Sequence, residues 1–266
     1  MRPLIFGILN ITEDSFSDGG RYLAAEAALG KARELIDDGA DALDIGAASS
    51  NPDSIPVSAE IEIARLAPVV AEAKKQGWAV SIDSFAPATQ TWAMGEGVAT
   101  LNDIRGFPDA ALYPALAKSS AKLVVMHSVQ CGRATRVNTN PATIMDRIAD
   151  FFTARVGTLM RAGIARDRLI LDPGMGFFLG SNPQVSLTVL KGLPELKAAF
   201  GLPLLISVSR KSFLRRLTGR GPEDSGAATL AAELFATSRG IDIIRTHNPR
   251  ALRDALTIWD EFVPLR

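Results

Sequence analysis

Eight short runs rich in Ile, Val and Leu recur along the chain, and each carries a polar or charged residue toward its C-terminal end. They are LIFGILN (4–10), DALDIGAA (41–48), AVSIDSF (79–85), TLNDIRG (100–106), KLVVMHS (122–128), LILDPG (169–174), PLLISVS (203–209) and DIIRTH (242–247). Near-continuous apolar runs of this length suit strands of a parallel sheet covered on both faces. The segments between them read as helices, among them 24–38, 58–76, 141–162, 227–239 and 249–262. Ser58 is placed to cap the second of these, with Glu60 and Glu62 in its first turn. Gly39, Gly77, Gly97, Gly163, Gly201 and Gly240 stand where helices stop before the next strand, the place of a left-handed C-terminal glycine.

Eight βα units in 266 residues give about 33 residues per unit, the arithmetic of a single (β/α)8 (TIM) barrel, class α/β, spanning 1–266 as one domain. An open doubly wound sheet is the alternative, but no G-x-G-x-x-G follows the first run. A hydrophobic share of 47% supports a large core. Formal charge is zero, so nothing points to nucleic acid or an anionic membrane surface. A single cysteine, Cys131, excludes an internal disulfide framework. No signal segment or membrane span is read, and a cytoplasmic protein is expected.

Barrel active sites lie at the C-terminal ends of the strands. Those ends carry Asn10, Asp44, Asp83, Asn102 with Asp103, His127, Asp172, Ser209-Arg210-Lys211, and Arg245 with His247. A mouth so dense in acids, amides and bases reads as a polar ligand site. Asp83, Asn102, Asp172 and Lys211 suit a flat, nitrogen-rich heterocycle, because a carboxylate can accept two parallel N–H bonds. Arg245 and His247 suit a phosphate or diphosphate, with a surface salt bridge as the alternative. Asn10 could ligate Mg²⁺ through its side-chain carbonyl while a ligand's phosphates supply further oxygens. Asp172 has the competing reading of a turn residue before Pro173-Gly174, and Met126 that of core packing.

GILNITEDSFSDGG, DALDIGAASSNPD, SIDSF, LNDIRGF, VVMHS, LILDPGMGF, SVSRKSFL and IIRTH stand in the order and spacing of dihydropteroate synthase, and the chain resembles that family over nearly its whole length. ASSNPD, NDIRGFPD, KLVVMHSVQ and DPGMGFFLG resemble most its plasmid-borne, sulfonamide-resistant Sul-type branch. The resemblance implies condensation of 6-hydroxymethyl-7,8-dihydropterin diphosphate with para-aminobenzoate. Products are 7,8-dihydropteroate and pyrophosphate, the cofactor is Mg²⁺, and the pathway is folate biosynthesis. It implies pterin contacts at Asp83, Asn102, Met126, Asp172, Lys211 and Arg245, and a diphosphate and metal site at Asn10, Ser50, Arg245 and His247. It implies a para-aminobenzoate pocket at Phe16, Ser50, Phe177, Phe178 and Ser212. Catalysis falls to Asp83, Lys211, Arg245 and His247, through departure of the diphosphate before the amine attacks. A homodimer is implied as well. The loops after the first two strands become lids, with Phe16 an apolar wall and Gly19-Gly20 a hinge.

Three departures from the family's pattern stand out. Glu13 replaces a proline. The second loop reads Ser49-Ser50-Asn51-Pro52-Asp53, without the arginine that ordinary members direct at the diphosphate. Phe177-Phe178-Leu179-Gly180 replaces a Gly-Phe-Gly-Lys pattern. An aromatic there would admit a planar carboxylate and reject a bulkier sulfonamide; the bland alternative is a core phenylalanine. Two rival readings share part of this signature: a corrinoid-type pterin methyltransferase and a non-catalytic pterin-binding barrel.

Overall fold

The computed structural model describes residues 2–12, 20–48, 57–130 and 136–262. Eight parallel strands form its centre: β1 (Leu4–Asn10), β2 (Ala42–Gly46), β3 (Val80–Asp83), β4 (Thr100–Asp103), β5 (Lys122–Met126), β6 (Leu169–Asp172), β7 (Leu205–Ile206) and β8 (Ile243–Thr246). The ladder runs β6-β5-β4-β3-β2-β1-β8-β7. A parallel bridge between Leu171 and Leu204 joins its two ends. There the Leu171 amide donates to the Pro203 carbonyl at 2.9 Å. The (β/α)8 barrel expected from the eight runs is therefore present.

The connecting helices are α1 (Gly20–Asp37), α2 (Ala59–Gln76), α3 (Pro87–Glu96), α4 (Tyr113–Lys118) and α5 (Ile144–Arg161). After β6 come α6 (Pro183–Lys191), α7 (Leu193–Phe200), α8 (Ser212–Thr218), α9 (Gly226–Ser238) and α10 (Pro249–Phe262). Ser58 caps α2, its hydroxyl accepting from the Ile61 amide at 3.4 Å. All six glycines expected at helix ends have positive φ, between 56° and 91°. Two expectations shift. Gly20 opens α1 instead of belonging to the preceding loop. The seventh strand, expected over 203–209, keeps two residues. Pro203 has no N–H to give the ladder, and Ser207 to Ser209 leave it to reach Arg210, whose φ is 57°.

Strand side chains alternate between two cores. Ile5, Leu43, Ile82, Leu101, Leu123, Leu171, Ile206 and Ile244 face outward into the large cluster shared with the helices. Phe6, Ala42, Val124, Ile170, Leu205 and Ile243 form a separate buried cluster drawn from six strands, which only the barrel lumen can assemble. This apolar plug closes the barrel below the functional end.

On its other side the short β7 is tied to the start of β8 by side chains as well as backbone. Asp242 accepts the Leu204 amide at 2.8 Å and the Lys197 ammonium at 2.6 Å. Asp242→Ala leaves the Leu204 amide without its charged acceptor, and we expect a loss of about 1–3 kcal/mol in urea unfolding. An unchanged midpoint would show that this junction holds without it.

Candidate active site

Two residues beyond the plug, the inward face turns polar on several strands. Ala42 is followed by Asp44, Ile170 by Asp172, and Ile243 by Arg245, with Asp83 two beyond Ser81 and Asn102 two beyond Thr100. Period-two alternation alone brings these side chains into one ring above the plug. Asp83 and Asn102 are register partners, as are Met126 and Asp172.

Arg245 is the centre of the ring. Its Nη2 forms ion pairs with Asp44 Oδ2 and with Asp83 Oδ2, the latter at 2.7 Å. Burial pulls its pKa down, but Asp44, Asp83 and Asp172 outweigh that and push it above its ordinary value, so it stays charged. Burial pushes the Asp172 carboxyl up to about 6, against the pull of the Gly174 amide at 2.8 Å and of Arg245 and Lys211. Burial also pushes Asp44 up to about 6, opposed by Arg245. The Lys211 ammonium lies 5.2 Å from the centre of the Phe178 ring. Burial, then repulsion from Arg245, lowers its pKa to about 8. Asn102 is fully buried, and both polar atoms of its amide lack a hydrogen-bond partner. Such a group costs about 1–3 kcal/mol unless a ligand satisfies it.

The apolar wall of the ring is Ile104, Met126 and Phe178, with Phe85 and Phe177 packed on it. Met126 is buried in this cluster, register partner of Asp172. Phe178 is buried and Phe177 half-buried. The Arg136 guanidinium lies 6.0 Å from the Phe177 ring centre. Gly176 (φ 63°) carries this aromatic turn close to α8: an ideal Cβ there would sit 3.1 Å from Ser212 Oγ and 3.4 Å from Lys211 Cβ. Ser212 is buried at the start of α8, against that turn.

His247 stands at the end of β8, its Nδ1 2.9 Å from Ser209 Oγ. Burial and the neighbouring Arg210, Lys211 and Arg245 lower its pKa to about 3, so the imidazole is neutral near pH 7. The other strand-end histidine has a different setting. His127 Nδ1 is 3.1 Å from the Pro173 carbonyl and its ring stacks edge-on with Phe151. It braces the turn that carries Asp172 and does not face the ring. Gly174 is held to glycine at the same place, since at φ 77° a Cβ would lie 2.4 Å from the His127 carbonyl. Asp103 also turns away from the mouth. It accepts the amides of Arg105 and Phe107 and the Gln90 side chain, at 2.7, 3.1 and 3.0 Å.

Asn10 is exposed at the end of β1. Among the described residues no cluster of three or more His, Cys, Asp or Glu could hold a metal ion. One amide oxygen at an open strand end fits an ion held mainly by phosphate oxygens and water, and it does not fit a protein cage. Phe16, Ser49, Ser50, Asn51, Glu13 and Cys131 lie outside the described residues. Among the ring residues, the sequence reading assigned no role to Asp44, Ile104 or Phe85. Asp44 was visible as a strand end two residues past Ala42, and that spacing could have flagged it as inward-facing.

Residues 6–247 match the family model described as pterin binding enzyme. The chain is 64% identical over 255 residues, 96% of its length and 94% of the relative's, to a protein named dihydropteroate synthase type-2 from Escherichia coli. A solved structure of Xanthomonas albilineans dihydropteroate synthase with 4-aminobenzoic acid superposes with a TM-score of 0.90 at 34% identity, covering 100% of this chain and 94% of that one. Another from the same organism, in complex with 7,8-dihydropteroate, gives 0.86 at 32% identity over 100% and 95%.

Proposed function

The chain belongs to the dihydropteroate synthases within the pterin-binding enzyme family, and from that premise we propose that it joins 6-hydroxymethyl-7,8-dihydropterin diphosphate to para-aminobenzoate, releasing pyrophosphate. The observation that carries this reading is Asn102: a fully buried amide with both ends unpartnered, beside Asp83 and above an apolar floor. A heterocycle edge with alternating donors and acceptors satisfies such a set. The corrinoid methyltransferase reading is not favoured, since the relatives over the full chain are dihydropteroate synthases.

Asp83, Asn102, Asp172 and Lys211 hold the pterin edge over Met126. The C–O bond of the hydroxymethyl group breaks with its electron pair leaving on the diphosphate. The aromatic amine, unprotonated near neutral pH, then supplies the pair for the new C–N bond and sheds a proton to water. Asp83 and Asp172 favour the positive charge that develops on the pterin methylene, and losing one such group costs about 3 kcal/mol. No residue is required as a general base. His247, neutral and held through Nδ1 2.9 Å from Ser209 Oγ, presents Nε2 to the diphosphate. Mg²⁺, when bound, neutralises charge on the departing diphosphate, and Asn10 is the residue that would hold it. Ser50 and Phe16 complete the diphosphate and para-aminobenzoate subsites, and Ser212 holds the carboxylate of the latter.

The same reading makes the enzyme sulfonamide-insensitive, through Phe177 or Phe178. Phe177 supports it best, because it is only partly buried while Phe178 is buried, with the Lys211 ammonium 5.2 Å from its ring centre. A homodimer formed through barrel-side helices completes the reading; a light-scattering mass of one chain would discard it. Among the described residues no helix is long and apolar enough to cross a membrane, which accords with a cytoplasmic location; fractionation into the membrane pellet would argue against it.

Pyrophosphate release with both substrates and Mg²⁺ tests the activity. We expect release that persists in excess sulfamethoxazole, and inhibition restored at least about tenfold in Phe177→Gly or Phe178→Gly. No release would leave a non-catalytic pterin-binding barrel; release abolished by the drug in the unaltered protein would remove the selectivity argument. The pH dependence of kcat/KM for the pterin diphosphate should be bell-shaped. It falls below about pH 6 as Asp172 and Asp44 take up protons, and falls above about pH 8 as Lys211 loses one. A flat profile between pH 5 and 9 would contradict these roles.

A further inference from the structure

Two carboxylates of unequal access share Arg245. Asp44 is 1% exposed, and among the described residues Arg245 is the one cation paired with its buried carboxylate, with the uncharged Ser81 hydroxyl beside it. The Asp83 side chain is 26% exposed, at the mouth. Both contacts use the same nitrogen, Nη2. A ligand that donates N–H groups to Asp83 therefore competes with Arg245 for that carboxylate. Giving up Asp83 returns it to ligand or water, whereas giving up Asp44 strands a buried charge, which is far costlier. Arg245 yields the outer partner and keeps the inner one.

We propose that Asp44 is a positioning residue for pterin recognition: it anchors Arg245 so that Asp83 can turn to the ligand. The inference rests on the functional reading above and assigns no ligand contact to Asp44. Ser81, its register partner on β3, offers Asp44 a hydroxyl but no charge that could take the place of Arg245. Without Asp44, Arg245 closes onto Asp83, and the pterin must break that pair to bind.

The test is direct titration of the purified full chain with 6-hydroxymethyl-7,8-dihydropterin diphosphate, followed by fluorescence. Asp44→Asn should weaken binding by about tenfold or more, with KM for para-aminobenzoate unchanged. In an Arg245→Gln background the same change should add no further loss, because the residue acts through Arg245. A purely structural role would cost the same factor in both backgrounds and would move both KM values. That result overturns the proposal, as does wild-type affinity in Asp44→Asn. Should Asp44→Asn fail to fold, Asp44→Ser is carried through the same cycle with the same two outcomes. A wild-type chain that binds no pterin diphosphate overturns the functional reading itself, and this inference with it.

Discussion

One guanidinium held between carboxylates organises the mouth of this barrel. Arg245 lies among Asp44, Asp83 and Asp172, with Lys211 nearby. Such a group of charges is tolerable away from water only because opposite signs are paired. The pairing requires each side chain to come from a different strand at the same height. Parallel register and period-two alternation supply that, and the plug of Phe6, Ala42, Val124, Ile170, Leu205 and Ile243 denies water a route from below. The charges are consequently strong, fixed and open on one side, an arrangement suited to a polar heterocycle and to a developing cation.

Behind the ring a second set of contacts keeps it rigid. Asp83 and Asn102 point inward, while their neighbours Ser84 and Asp103 point outward and are joined through Gln90, which donates to the Ser84 carbonyl at 2.8 Å and to Asp103. Glu62, in the first turn of α2, accepts the Ser84 hydroxyl at 2.6 Å. His127 does the same for the Pro173-Gly174 turn behind Asp172. Strand ends that move little can hold ligand groups in place, and the variable chemistry is left to the loops above them.

The barrel was legible in the sequence because its strands are apolar on both faces and its helices stop at glycines, features that need no tertiary knowledge to read. The C-terminal strand ends pointed to the candidate site for the same reason. Geometry hidden from a linear reading was harder. His127 and His247 stand at equivalent strand ends, yet one ring braces a turn and the other faces the mouth. Which way each turns depends on neighbours 46 and 38 residues away in sequence. Arg245 read as an anion binder because nothing in its own strand shows that Asp44 and Asp83 occupy its Nη2. The short β7 was obscured by a long apolar run, of which only Leu205 and Ile206 form the strand.

The account stands most directly on whether the polar ring recognises a pterin diphosphate. Titration calorimetry with this compound, in the unaltered chain and in Asp83→Asn, measures that without relying on turnover. The predicted result is saturable one-site binding that weakens by about 10–100-fold when the Asp83 charge is removed, the worth of a charge-assisted hydrogen bond. Equal affinity in the two proteins would place the ligand elsewhere and contradict the assignment of the ring.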